Sequence, residues 1–176
     1  MDPHSVEPLI SAQAIKDRIN ELAKEITQTY VESDQLVVIS LLRGAMFFTA
    51  DLCRLIDKPI ILEVMMASSY EDKTERNQYV NIIQDIGCDI ADQDVLLVDD
   101  LIDTGHTLLA VSKLLKQRAP KRLMSCTLLK KTTCLQVPFD VDFNGFEIPN
   151  EFVVGYGIDY AYHHRCLPYI GKVVFE

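Results

Sequence analysis

The chain has 176 residues, 48% hydrophobic and 24% charged; it is long enough to bury roughly 70% of its unfolded surface, which excludes an intrinsically disordered chain. No apolar run approaches the ~20 residues of a bilayer span, and the first residues carry no basic and apolar leader pattern, so neither a membrane helix nor a signal peptide is read. A net charge of −9 argues against general nucleic-acid binding, because phosphate contacts need clustered Lys and Arg.

No Gly/Ser/Pro-rich linker or repeat interrupts the chain, so residues 1–176 read as one domain. Ser11 is a candidate N-cap for a first helix. Ile15, Ile19, Leu22, Ala23, Ile26 and Tyr30 follow it at helical spacing, with charged residues between them. Residues 36–42 are apolar, β-rich and short, which predicts a strand buried on both faces. A helix is expected over 44–56 and a second strand over 59–66. Residues 67–79 are polar and without periodicity, a loop longer than compact domains usually keep without a use. Short strands are expected over 80–84, 94–100 and 122–129, with a helix over 105–118. Three more short strands are read over 142–148, 152–156 and 172–175. The repeated strand–helix order predicts an α/β fold with a mostly parallel central sheet flanked by helices. The five cysteines form no CxxC or CxH pair and read as reduced thiols of a cytosolic protein.

The densest chemistry lies in Val95-Leu-Leu-Val-Asp99-Asp100-Leu-Ile-Asp103-Thr104-Gly105-His106-Thr107. In an open parallel sheet, ligands bind beyond the carboxyl ends of the strands. Here a strand ends in two acids, and a turn then enters a helix whose first N–H groups and positive dipole end suit a phosphate. Gly105 permits close backbone approach, and Thr104 and Thr107 supply hydroxyls. Carboxylates that accept from ribose hydroxyls or hold Mg²⁺, beside such a cradle, suit a sugar phosphate. Taken singly, each Asp could be a helix cap or a solvated loop residue. A receiver domain also places two acids at a strand end, but near its N-terminus and without the Asp-Thr-Gly-x-Thr turn.

The string resembles the phosphoribosyl-pyrophosphate (PRPP) motif of the type I phosphoribosyltransferases. Leu41-Leu42-Arg43-Gly44 is similar to the pyrophosphate loop of the hypoxanthine-guanine branch, and Ser69-Tyr70 to the pair on its mobile catalytic loop. Lys130-Lys131-Thr132 is similar to its purine-contacting lysine loop, and residues 143–160 to its purine-binding segment. The resemblance covers about residues 10–175. His106, Asp99 and Glu151 stand where members often carry other side chains.

The resemblance implies a Mg²⁺-dependent enzyme of this fold, with a small hood formed by terminal segments. It would join a 6-oxopurine to PRPP, releasing pyrophosphate. It implies that Asp103 is the proton acceptor, with N-cap of the next helix as its plainer role, and that Ser69 and Tyr70 act on the catalytic loop. Asp99 and Asp100 would hold ribose hydroxyls and metal, with Asp159 beside a second metal. Thr104, Gly105, His106 and Thr107 would cradle the 5′-phosphate, and Arg43, Gly44 and Arg165 would meet pyrophosphate. Lys130 would donate to the purine O6, Phe152 would stack on the ring, and Ile102 and Val153 would complete the purine pocket. The peptide Leu42–Arg43 is expected to be cis, or to switch to cis when pyrophosphate binds, and the 68–79 segment to close over the site. His163 and His164 read as surface residues. A cytoplasmic homodimer or homotetramer is expected, with no nucleic-acid or membrane partner. The competing class is a PRPP-sensing nucleic-acid-binding regulator of the same fold.

Overall fold

The computed structural model describes residues 3–71 and 78–175, apart from the side chains of 69–71, 78 and 79. Strand β1 (His4–Ile10) precedes helix α1 (Ala12–Thr29). Then come β2 (Leu36–Leu42), α2 (Met46–Cys53), β3 (Ile60–Glu71), β4 (Gln78–Gln84) and β5 (Asp94–Ile102). Helix α3 (His106–Lys116) and strands β6 (Arg122–Lys131), β7 (Phe143–Ile148), β8 (Val153–Val154) and β9 (Ile170–Phe175) follow.

Six strands form the main sheet in the order β4-β3-β2-β5-β6-β7. Every neighbouring pair is parallel except β3 with β4. The α/β expectation therefore holds. The hood is a three-stranded antiparallel sheet, β1-β9-β8, drawn from both ends of the described chain.

Side-chain alternation along β2 and β5 divides the core in two. Leu36, Val38, Leu96 and Val98 pack with Ile15, Ile19, Leu22 and Ile26 of α1 and Phe48 of α2. Val37, Ile39, Leu41, Val95 and Leu97 pack with Leu108, Val111 and Leu115 of α3. Ser11 caps α1 as expected: its backbone is extended and its Oγ accepts from the Ala14 N–H at 3.2 Å. From β2 the chain moves outward to β3, and from β5 it moves the opposite way to β6 and β7. The switch in direction opens a crevice beyond the carboxyl ends of β2 and β5, where ligands of such sheets bind.

The sequence reading differs from the structure in instructive places. Strand β1 has no local signal, since it contains Pro8 and mixed polarity; it exists because β9 pairs with it, His4 opposite Phe175. Helix α2 is shorter than expected at both ends. The loop expected over 67–79 is largely strand, because β3 runs to Glu71 and pairs with β4 from Gln78. Residues 72–77, part of the expected lid, lie outside the described residues. All five cysteines are free, and burial pushes the Cys53 thiol up to about 11.

A polar network closes the amino end of the sheet. The Asp94 carboxylate, 4% exposed, meets Arg122 Nε at 2.9 Å and accepts from the Ser33 hydroxyl at 2.5 Å. The Arg122 guanidinium lies 4.1 Å over the Tyr30 ring, whose hydroxyl donates to the Val95 carbonyl. Burial pushes the Asp94 carboxyl up, but Ser33, Arg122 and Lys121 outweigh it, so its pKa is lowered. A depressed folded pKa gives stability that is complete above the unfolded value near 4 and is lost as pH falls through the folded value. Asp94→Asn is therefore expected to cost about 1–3 kcal/mol at neutral pH. Thermal melts from pH 7 to pH 2 should also fall less steeply in the variant; an unchanged acid limb would contradict this.

Candidate active site

β5 carries two carboxylates to the crevice before it ends. Asp99 is 9% exposed and Asp100 half-buried. The Asp100 N–H donates to Asp99 Oδ1 at 3.0 Å. Burial pushes both carboxyls up. The charge of Asp100 adds to the rise for Asp99, while Arg165 works against it for Asp100. The chain then turns through Asp103 and Thr104 into α3, with Gly105 as N-cap at φ +86°. No side chain caps this helix and no acid lies in its first turn. Its first N–H groups and its dipole are thus left for an anion. Asp103 is not the cap.

Opposite stands the turn after β2. The Leu42–Arg43 peptide is cis, as expected. Gly44 then passes so close to Asp100 that a Cβ would overlap its carboxylate. Arg43 itself is exposed. A cavity of about 430 Å³ lies between the two strand ends. Its wall includes Leu42, Gly44, Ala67, Asp99, Asp100, Ile102, Asp103, Thr104, Gly105 and Thr107.

Of the two adjacent lysines, Lys131 rather than the expected Lys130 is the one that meets Asp103: its Nζ lies 2.8 Å from Asp103 Oδ2, and its side chain is 9% exposed. Successive side chains of a strand point to opposite faces, so one of two adjacent lysines on β6 faces Asp103 and the other cannot. The Lys-Lys dipeptide flagged the place, and the register of β6 sets which of the two pairs with Asp103.

The remaining expected residues are not among those that line the cavity. Phe152 is 45% exposed and stands edge-on to Tyr160 and Phe175 at 5.4 and 6.1 Å between ring centroids. Val153 lies on β8, paired with Lys172. Arg165 is held by the loop after β8: Nη1 donates to the Gly157 carbonyl and Nη2 pairs with Asp159 Oδ1, both at 2.6 Å. The second oxygen of Asp159 accepts from the Tyr162 N–H. His106 opens α3 beside the cavity. Ser69 and Tyr70 lie on β3, and their side chains are outside those described. His164 is more than a surface residue, since its Nε2 lies 2.9 Å from His4 Nε2. Glu151 pairs with Lys172 at 2.9 Å.

The donor set suits Mg²⁺ carried in with a ligand. Two adjacent carboxylates that repel each other in a buried setting gain from a divalent cation. Among the described residues, no three His, Cys, Asp or Glu side chains converge into a cage. Mg²⁺ usually takes one or two carboxylates, with phosphate oxygens and water supplying the rest. Asp159, with both oxygens engaged, is less available to a cation than Asp99 and Asp100.

Comparisons with known proteins agree with this geometry. The phosphoribosyl transferase domain family matches residues 5–161. The chain is 48% identical over 172 residues to a hypoxanthine phosphoribosyltransferase of Salmonella typhimurium, covering 97% of each chain. To that of Haemophilus influenzae it is 49% identical over 178 residues, covering 100% of this chain and 99% of the relative. A crystal structure of a hypoxanthine-guanine phosphoribosyltransferase from Bacillus anthracis, with a HEPES molecule in its active site, superposes with a TM-score of 0.91. It is 39% identical, with 96% of this chain and 98% of that one covered.

Proposed function

The chain belongs to the phosphoribosyl transferase domain family, and from that premise we propose that it is a purine-salvage hypoxanthine phosphoribosyltransferase, converting hypoxanthine and PRPP to IMP and pyrophosphate. The observation that carries this reading is the cavity in which Asp99, Asp100 and Asp103 face the α3 phosphate cradle, with Gly44 opposite. The similar relatives at 48–49% identity, named for hypoxanthine alone, support that base over guanine. Nothing supports a nucleic-acid-binding regulator.

In the reaction, the bond from ribose C1′ to pyrophosphate breaks and a bond to purine N9 forms. The base loses a proton and the ribose passes through a state with positive charge at C1′. Asp103 meets the purine at N7 and accepts that proton; one of its oxygens takes the Lys131 bond and leaves the other for the ligand. Asp99 and Asp100 accept from the ribose hydroxyls, and their negative field favours the developing cation. Thr104, Gly105, His106 and Thr107 hold the 5′-phosphate with backbone N–H groups and hydroxyls. Gly44 and the exposed Arg43 meet pyrophosphate, and Arg165 adds charge nearby. Phe152 stacks on the base, with Ile102 and Val153 at its edges. Ser69 and Tyr70 act on the leaving-group side. Asp99 and Asp100, with oxygens of PRPP, would hold Mg²⁺, which would supply charge neutralisation on the pyrophosphate leaving group. A cytoplasmic homo-oligomer fits this reading, and no helix among the described residues is long and apolar enough to cross a membrane.

Lys131 takes the purine O6 contact. An acceptor at C6 suits an ammonium, whereas the amino group of adenine would set donor against donor. Lys131→Ala is expected to raise the hypoxanthine KM about 10- to 100-fold while the PRPP KM stays within about twofold, since one hydrogen bond from a charged group is lost. Lys130→Ala should leave both unchanged; the reverse pattern would return the contact to Lys130. The activity itself is tested by a spectrophotometric assay with PRPP, Mg²⁺ and hypoxanthine, guanine or xanthine in turn. IMP formation is expected, and no turnover of any 6-oxopurine would overturn the reading.

A further inference from the structure

We propose that Tyr156 and Asp51 are a positioning pair that sets the Gly44 backbone, and through it the affinity for the pyrophosphate end of PRPP; this rests on the functional reading above. Gly44 is gripped from two sides. Asp100 leaves no room for a side chain on one side. On the other, the backbone of Gly157, at φ +109°, comes so close that a Cβ there would overlap the Gly44 carbonyl. The place of Gly44 is therefore set by the place of the 155–157 turn.

That turn is braced within its own segment. The Tyr156 N–H donates to the Leu167 carbonyl, the Gly157 N–H to the Arg165 carbonyl, and the Arg165 guanidinium to the Gly157 carbonyl. None of these bonds ties the turn to the helix that follows Gly44. Among the described residues, one hydrogen bond does: the Tyr156 hydroxyl donates to Asp51 Oδ2 at 2.5 Å, across 105 positions of sequence. Asp51 lies on α2, the helix into which the Arg43-Gly44 turn leads. The Phe47 ring, also on α2, stands 6.4 Å from the Tyr156 ring. Asp51 Oδ1 is held by Arg54 at 3.0 Å, which orients the carboxylate. Burial, then Asp51 itself, push the Tyr156 hydroxyl up, so it stays protonated and donates. The pair thus clamps the turn to α2, and Gly44 sits between them.

Tyr156→Phe keeps the ring and removes only the donor. A hydrogen bond to a charged group is worth about 10-fold or more in an equilibrium. In the full chain, Tyr156→Phe is expected to raise the PRPP KM about tenfold and to weaken calorimetric binding of magnesium pyrophosphate by a similar factor. The hypoxanthine KM and kcat should change little. Asp51→Ala should reproduce the effect, and the double variant should be no worse than either single one. Asp51→Asn keeps an acceptor oxygen and should restore most of the affinity. Wild-type pyrophosphate binding in Tyr156→Phe would overturn the proposal. So would equal rises in both KM values with a lowered Tm, the mark of a merely structural role, or fully additive variants. If the parent chain makes no IMP yet binds magnesium pyrophosphate in a Tyr156-dependent way, the functional reading falls and the positioning pair stands.

Discussion

Asp103→Asn is expected to fold like the parent and to lose about 10²–10⁴ of its turnover with saturating PRPP and hypoxanthine, the range typical of a general base. The substitution keeps the shape of the side chain and an oxygen that accepts from Lys131, so the 2.8 Å contact survives. It does not cap α3, because Gly105 does, and its side chain is 45% exposed; little stability is at stake. What disappears is the capacity to take a proton from the purine. Kinetics and a thermal melt on the same preparation separate the two effects. Near-parental turnover would remove Asp103 from the base role, and a large drop in Tm would show that it serves the fold.

Gly44→Ala is expected to reduce kcat/KM for PRPP by about 10²-fold or more, the cost of misplacing reacting groups by an ångström. The new methyl would overlap the Asp100 carboxylate. Asp100 is short, and its backbone is fixed in the centre of the sheet between β2 and β6. The carboxylate must then rotate away from the ribose, or the Arg43-Gly44 turn must lift away from pyrophosphate. Either movement disturbs the PRPP half of the site and spares the purine half. The hypoxanthine dissociation constant, measured by calorimetry, should therefore change much less than kcat/KM for PRPP. A variant with parental kcat/KM would mean that the crevice relaxes at no cost.

How much of this could be read along the chain follows from the range over which each signal acts. Helix α1 and its Ser11 cap are encoded within a few residues, by a 3.6-residue apolar period and a local hydrogen bond. Strand β2 was legible to its boundaries, because burial on both faces requires an unbroken apolar run. The Asp99–Thr107 string identified its own place at a strand-to-helix turn, since carboxylates, glycine and hydroxyls there share one local purpose. The resemblance added the cis Leu42–Arg43 peptide, which local propensity would never suggest. Strand β1, by contrast, depends on β9 at the far end of the chain. The long β3–β4 hairpin arises from backbone pairing that polar side chains do not announce. Which of Lys130 and Lys131 pairs with Asp103 turns on a single step of strand phase, which the sequence leaves open and the packing of β6 against β5 decides. The same holds for Gly44 between Asp100 and Gly157, and for the Tyr156–Asp51 bond. Local sequence thus determined α1, β2 and the chemistry of the Asp99–Thr107 string; tertiary structure decided β1, the β3–β4 pairing and which side chains meet, because those contacts join residues with no periodic relation to one another.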